Sequence, residues 1–115
     1  FRQVHLTRVR ELVEQGAYIL DVREENEFAA GHLLHAVNIP LSQLRARLDE
    51  IPRDRPVYVH CRSSQRSYNA VCALQQRGWH NVYNIAGSYL AISLYEAMQE
   101  RLYGKEKIVT EYNFR

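Results

Sequence analysis

The stretch Pro56-Val57-Tyr58-Val59-His60-Cys61-Arg62-Ser63-Ser64-Gln65-Arg66-Ser67 decides the fold. The four residues after Pro56 are β-branched or aromatic, and the proline before them cannot donate to a sheet ladder, so Val57 to His60 reads as a buried strand. A polar loop follows, and Ser67 to Arg77 reads as a helix, with Ala70, Val71, Ala73 and Leu74 forming an apolar stripe and Gly78 supplying an end signal. Strand, loop and helix in that order make half of a parallel crossover unit. The same alternation runs along the rest of the chain. Phe1 to His5, Ala17 to Val22, Ala36 to Ile39 and Asn81 to Ile85 read as further strands. Between them, Thr7 is expected to cap a helix carrying Val9, Leu12 and Val13, and Glu24 to Phe28 to form a short helical turn. Ser42 is expected to cap a helix carrying Leu41, Leu44 and Leu48. Ser88 to Leu102 reads as an amphipathic helix with Leu90, Leu94, Ala97, Met98 and Leu102 near one face. The expected fold is α/β: a single domain over residues 1–102, with a mostly parallel central sheet covered by helices on both faces. Residues 103–115 form a tail, in which Ile108 to Tyr112 is expected to be extended and packed on the body or on a partner.

Composition narrows the function. With 115 residues, 46% hydrophobic and 24% charged, the chain falls outside the disordered and low-complexity classes. Its 15 Lys and Arg against 13 Asp and Glu leave a net charge of +2, too small to make nucleic acid or an anionic membrane the default partner. No apolar run approaches a membrane span, and the N-terminus lacks the core of a signal peptide, so the expected compartment is cytoplasmic. The chain starts at Phe1 and its one methionine is Met98, the pattern expected of a piece of a longer protein. Two cysteines are too few for a disulfide scaffold or a four-ligand zinc site, and no metal site is expected.

Cys61 stands where the strand gives way to the loop, the place where parallel α/β sheets bind ligands. A thiolate there faces the free N–H groups of a helix start and the guanidinium groups of Arg62 and Arg66. Those neighbours are expected to draw its pKa from about 8.5 into roughly the 5 to 7 range of activated thiols. The bland alternative is a small core residue that merely ends a strand. Cys72, inside the helical stripe, is expected to be a core thiol. His60 is expected to point away from Cys61 by alternation.

The segment Cys61-Arg62-Ser63-Ser64-Gln65-Arg66 resembles the C-x4-R loop of the rhodanese (sulfurtransferase) superfamily. Leu20-Asp21-Val22-Arg23-Glu24, then Glu27-Phe28 and Gly31-His32, and Ala36-Val37-Asn38-Ile39-Pro40 agree with two upstream motifs of that family. Asn81 to Ile85 with Gly87 agrees downstream, so the resemblance covers about residues 1–95. It is closest to the rhodanese domains fused behind flavin-dependent coenzyme A disulfide reductases and NADH oxidases.

The resemblance implies that Cys61 is catalytic and takes a sulfane sulfur from thiosulfate, a polysulfide or a low-molecular-weight persulfide. It also implies that Arg62, Ser63, Ser64, Gln65 and Arg66 bind the substrate, their backbone N–H groups cradling a persulfide. Arg62 would recruit anionic donors, whereas Arg66 would either face the site or anchor the loop to a carboxylate. Asp21 and Arg23 would hold neighbouring loops. The implied partners are small sulfur-containing anions and thiols, with a fused or docked flavin reductase. No cofactor is expected within this chain, FAD and NADH entering only through such a fusion. His35 stands where the family more often has glycine, and Ala86-Gly87 where two glycines are common. Two rival readings remain open: a phosphatase or arsenate reductase, echoed by His60-Cys61 and a following arginine, and a non-catalytic interaction module.

Overall fold

Five parallel strands, β1 (Gln3–His5), β2 (Tyr18–Asp21), β3 (Val37–Asn38), β4 (Val57–His60) and β5 (Val82–Ala86), form one sheet in the order β1-β5-β4-β2-β3. The computed structural model describes residues 2–111; Phe1 and Tyr112 to Arg115 lie outside the described residues. The central strands β2 and β4 carry apolar side chains to both faces, as a sheet covered on both sides requires. On one face, Leu20, Val57, Val59 and Cys61 pack with Ala70, Val71 and Leu74 of α3 (Gln65–Gln76) and with Leu44 of the segment 41–50. On the other face, Ile19 and Ile85 pack with Val9 and Leu12 of α1 (Val9–Glu14) and with Tyr89 and Ile92 of α4 (Ser88–Tyr103). The architecture is therefore α/β, with helices on both faces of an all-parallel sheet.

Several local expectations are corrected. Thr7 does not cap α1: a 3-10 turn (Leu6–Arg8) intervenes, and its cap is His5, whose Nδ1 accepts from the Thr7 N–H at 3.3 Å. Leu41–Glu50 is a 3-10 segment kinked at Arg47 rather than a helix capped by Ser42; Pro40 precedes it, with no side-chain cap. The expected helical turn is α2 (Glu25–Ala29), closed at its start by a reciprocal bond pair between Glu24 and Glu27. α3 begins two residues before its predicted start, at Gln65.

The largest correction concerns α4. Its buried side chains are Tyr89, Ile92, Ser93 and Glu96, while Leu94, Met98 and Leu102 are 50%, 57% and 62% exposed. These three residues of the expected stripe face outward, and a partly buried ion pair sits on the inner face. The guanidinium of Arg10 donates to Glu96 Oε1 at 2.7 and 3.0 Å, which makes burial of Glu96 tolerable.

Beyond Gly104 the tail turns back onto the body. Ile108 and Val109 are buried, Val109 forms an antiparallel bridge with Leu33, and the Leu34 and Thr110 N–H groups bond to Ile108 and His32 carbonyls at 2.8 and 2.7 Å. Tyr112, to which this extended segment was expected to run, lies outside the described residues.

Candidate active site

Cys61 follows directly on β4, and its sulfur is held from the helix side. The backbone N–H groups of Ser64 and Ser67 donate to Cys61 Sγ at 3.1 and 3.2 Å. Ser64 makes this convergence feasible. At φ 91° it is one of two non-glycine residues among those described with positive φ, and it turns the entry of α3 so that its N–H points at the sulfur. Two N–H groups aimed at one sulfur favour negative charge there, reinforced by the start of α3. The Ser67 hydroxyl closes the turn by donating to the Ser64 carbonyl at 3.0 Å.

A second helix start supports the loop from behind. The N–H groups of Tyr89 and Leu90 donate to the Cys61 and Arg62 carbonyls at 2.7 and 3.3 Å. Gly87 permits this junction: its φ is 98°, and a Cβ there would lie 2.6 Å from Leu6 Cδ2. The loop is thus held between the ends of two helices.

Cys61 itself is only 1% exposed. Arg62 is half-buried and Ser63 and Gln65 are exposed, so the loop rather than the sulfur meets solvent. Arg66 does not face the sulfur with a free charge. It makes a bidentate pair with Glu27 at 2.6 and 2.9 Å, tying the start of α3 to α2. That bond, opposed by partial burial and aided by the Glu24 N–H, holds the Glu27 carboxyl down from 4.5 to about 2.

Beneath the loop lies a buried polar layer. Arg23 grips both Asp21 oxygens at 2.7 to 3.1 Å, donates to the Gly31 carbonyl at 2.7 Å, and lies 3.9 Å over the Tyr89 ring. Burial would raise the Asp21 carboxyl, but His60 and Arg23 outweigh it and keep the carboxyl below its usual value. His60 lies on the Asp21 side, its Nε2 3.6 Å from Asp21 Oδ2, and burial pushes its imidazole below the usual value. His60 Nδ1 also lies 3.4 Å from the Cys61 carbonyl, so this layer braces the loop. Cys72, expected in the core, is only partly buried.

A hollow of about 470 Å³ opens beside the loop, lined by Ser63, Ser64, Gln65 and Tyr68 on one side and by Gln3, Asn84, Ala86 and Gly87 on the other. A wider one of about 810 Å³ lies around Trp79 and is not lined by either cysteine. Sequence reasoning missed three contributors to the site: Ser67, Tyr89 and Asn84. Ser67 was legible as the helix start; the other two come from distant elements and carry no local signal.

The rhodanese-like domain family matches residues 5–94, and the chain belongs to that family. It is 49% identical over 73 residues to the uncharacterized protein YqhL of Bacillus subtilis, a match covering 64% of this chain and 58% of that one. It is 38% identical over 73 residues to a sulfurtransferase of Allochromatium vinosum, covering 64% and 68% of the two chains. Among solved structures, the reduced Bacillus anthracis CoADR-RHD superposes with a TM-score of 0.75 at 34% identity, over 87% of this chain and 17% of that one.

Proposed function

We propose that this domain is a rhodanese-type sulfurtransferase that carries a sulfane sulfur on Cys61 from thiosulfate, a polysulfide or a low-molecular-weight persulfide to a thiol. The observation that carries this reading is the pair of N–H groups converging on Cys61 Sγ. With thiosulfate as donor, the Cys61 thiolate attacks the outer sulfur, a new S–S bond forms, and sulfite leaves with the electron pair of the broken bond. The persulfide carries the charge that the thiolate brought, on a sulfur about 2 Å farther out. That extension carries the transferable atom beyond the buried Cys61 sulfur. An acceptor thiolate next attacks the outer sulfur, forming its own persulfide and returning Cys61 as thiolate. The cradle stabilises negative charge at both stages without reorganising. Arg62, with no carboxylate partner among the described residues, is assigned the recruitment of anionic donors; Arg66 is assigned to anchoring the loop. The similarity to CoADR-RHD supports operation beside a reductase domain.

Incubation with thiosulfate is expected to add the mass of one sulfur to Cys61, read by peptide mass spectrometry, and Cys61→Ser to abolish the addition. Labelling at Cys72 alone, or steady phosphatase turnover without sulfur uptake, would overturn the reading.

A further inference from the structure

We propose that the hollow beside the Cys61 loop is a subsite for a low-molecular-weight thiol bearing an amide group, and that Asn84, with Gln3, reads that amide. This rests on the sulfur-transfer reading and names the class of acceptor. Asn84 pairs in register with Val59 on β4, two residues before Cys61, so it lies on the same side of the sheet as the nucleophile. Gln3 pairs with Asn84 from the edge strand β1. The hollow that these residues share with Ser63, Ser64, Gln65 and Tyr68 has the volume of a small-molecule site.

Its chemistry does not match a small dianion. Every polar side chain lining it is neutral, and three of them, Gln3, Gln65 and Asn84, are carboxamides. A carboxamide both donates and accepts, which is the complement of a secondary amide. Asn84 is also incompletely used. It is 3% exposed, its Nδ2 donates to Gln3 Oε1 at a long 3.3 Å, and its Oδ1 is buried with no hydrogen-bond partner among the described residues. A buried acceptor in that state is costly, and rotation of the amide toward the hollow lets a ligand N–H complete it. The bound thiol, as thiolate, attacks the outer sulfur of the Cys61 persulfide; the Cys61 S–S bond breaks, and the sulfane sulfur leaves on the acceptor with no net oxidation.

The test compares two uncharged thiols of similar basicity, N-acetylcysteamine and 2-mercaptoethanol, as acceptors from preloaded Cys61 persulfide in single-turnover experiments. The amide-bearing thiol is expected to react about tenfold faster per mole, the worth of one hydrogen bond to an otherwise unsatisfied buried group. Asn84→Leu is expected to bring that ratio close to one, and Gln3→Leu, at the exposed edge, to lower it should the first variant fail to fold. Equal rates in the unaltered protein, or a ratio that survives in the folded variants, overturn the proposal. S-methyl-N-acetylcysteamine, which cannot react, is expected to shift the side-chain amide NMR signals of Asn84 and Gln3. If Cys61 never loads but these signals shift, the sulfur-transfer reading fails and the subsite stands; if they do not shift, the subsite fails.

Discussion

At the scale of single residues, two serve in conformations that ordinarily belong to glycine. Ser64, at φ 91°, bears the strain that aims its N–H at Cys61 Sγ, so its cost is linked to the site. His35, at φ 67°, is exposed and makes the turn that the family more often builds with glycine. A non-glycine side chain is thus held in the left-handed region. His35→Gly is expected to stabilise the domain by about 0.5–1 kcal/mol, the steric relief being partly offset by a more flexible unfolded chain. A urea midpoint that falls in the variant would contradict this account.

Between elements, the loop depends on anchors that come from elsewhere in the chain. The Arg66–Glu27 pair joins α3 to α2 and sets a definite acid response. Glu27 has its folded pKa depressed, so its contribution to stability is complete above the unfolded value near 4.5 and is lost as pH falls through about 2. Thermal unfolding between pH 5 and pH 2 is expected to show a steeper loss in the unaltered protein than in Glu27→Gln, which lacks the titrating group. Equal slopes would mean that the pair contributes nothing at the surface. The tail is a second anchor. Ile108 is 3% exposed against the layer that holds Leu33 and Tyr89, and the Tyr89 hydroxyl donates to the Glu111 carbonyl at 2.8 Å. Ile108→Ala is expected to cost about 2–4 kcal/mol in chemical denaturation; a loss below about 0.5 kcal/mol would show that the tail does not contribute to the core.

Across the whole molecule, the orientation of α4 separates what side chains prefer from what the fold permits. Leu74→Ala, in the core of α3, is expected to cost about 2–4 kcal/mol, whereas Leu94→Ala, half-exposed on α4, should change stability by less than about 0.5 kcal/mol. Comparable losses would restore the inward-facing stripe that the sequence suggests. The strands, a mostly parallel sheet and the placing of Cys61 at the end of β4 were legible in the sequence, because β-branched runs, prolines and glycines impose local preferences that the tertiary fold did not oppose. The C-x4-R loop was legible for the same reason: its residues are contiguous. By contrast, the Arg66–Glu27 pair, the Tyr89–Glu111 bond and the Asn84–Gln3 bond join residues 22 to 81 positions apart. No local pattern encodes such pairings. The amino-acid order by itself determined the alternating elements and the nucleophile. Only the tertiary structure decided which face of α4 is buried and which groups surround the sulfur, because ion pairing, helix-end hydrogen bonding and core packing act across space rather than along the chain.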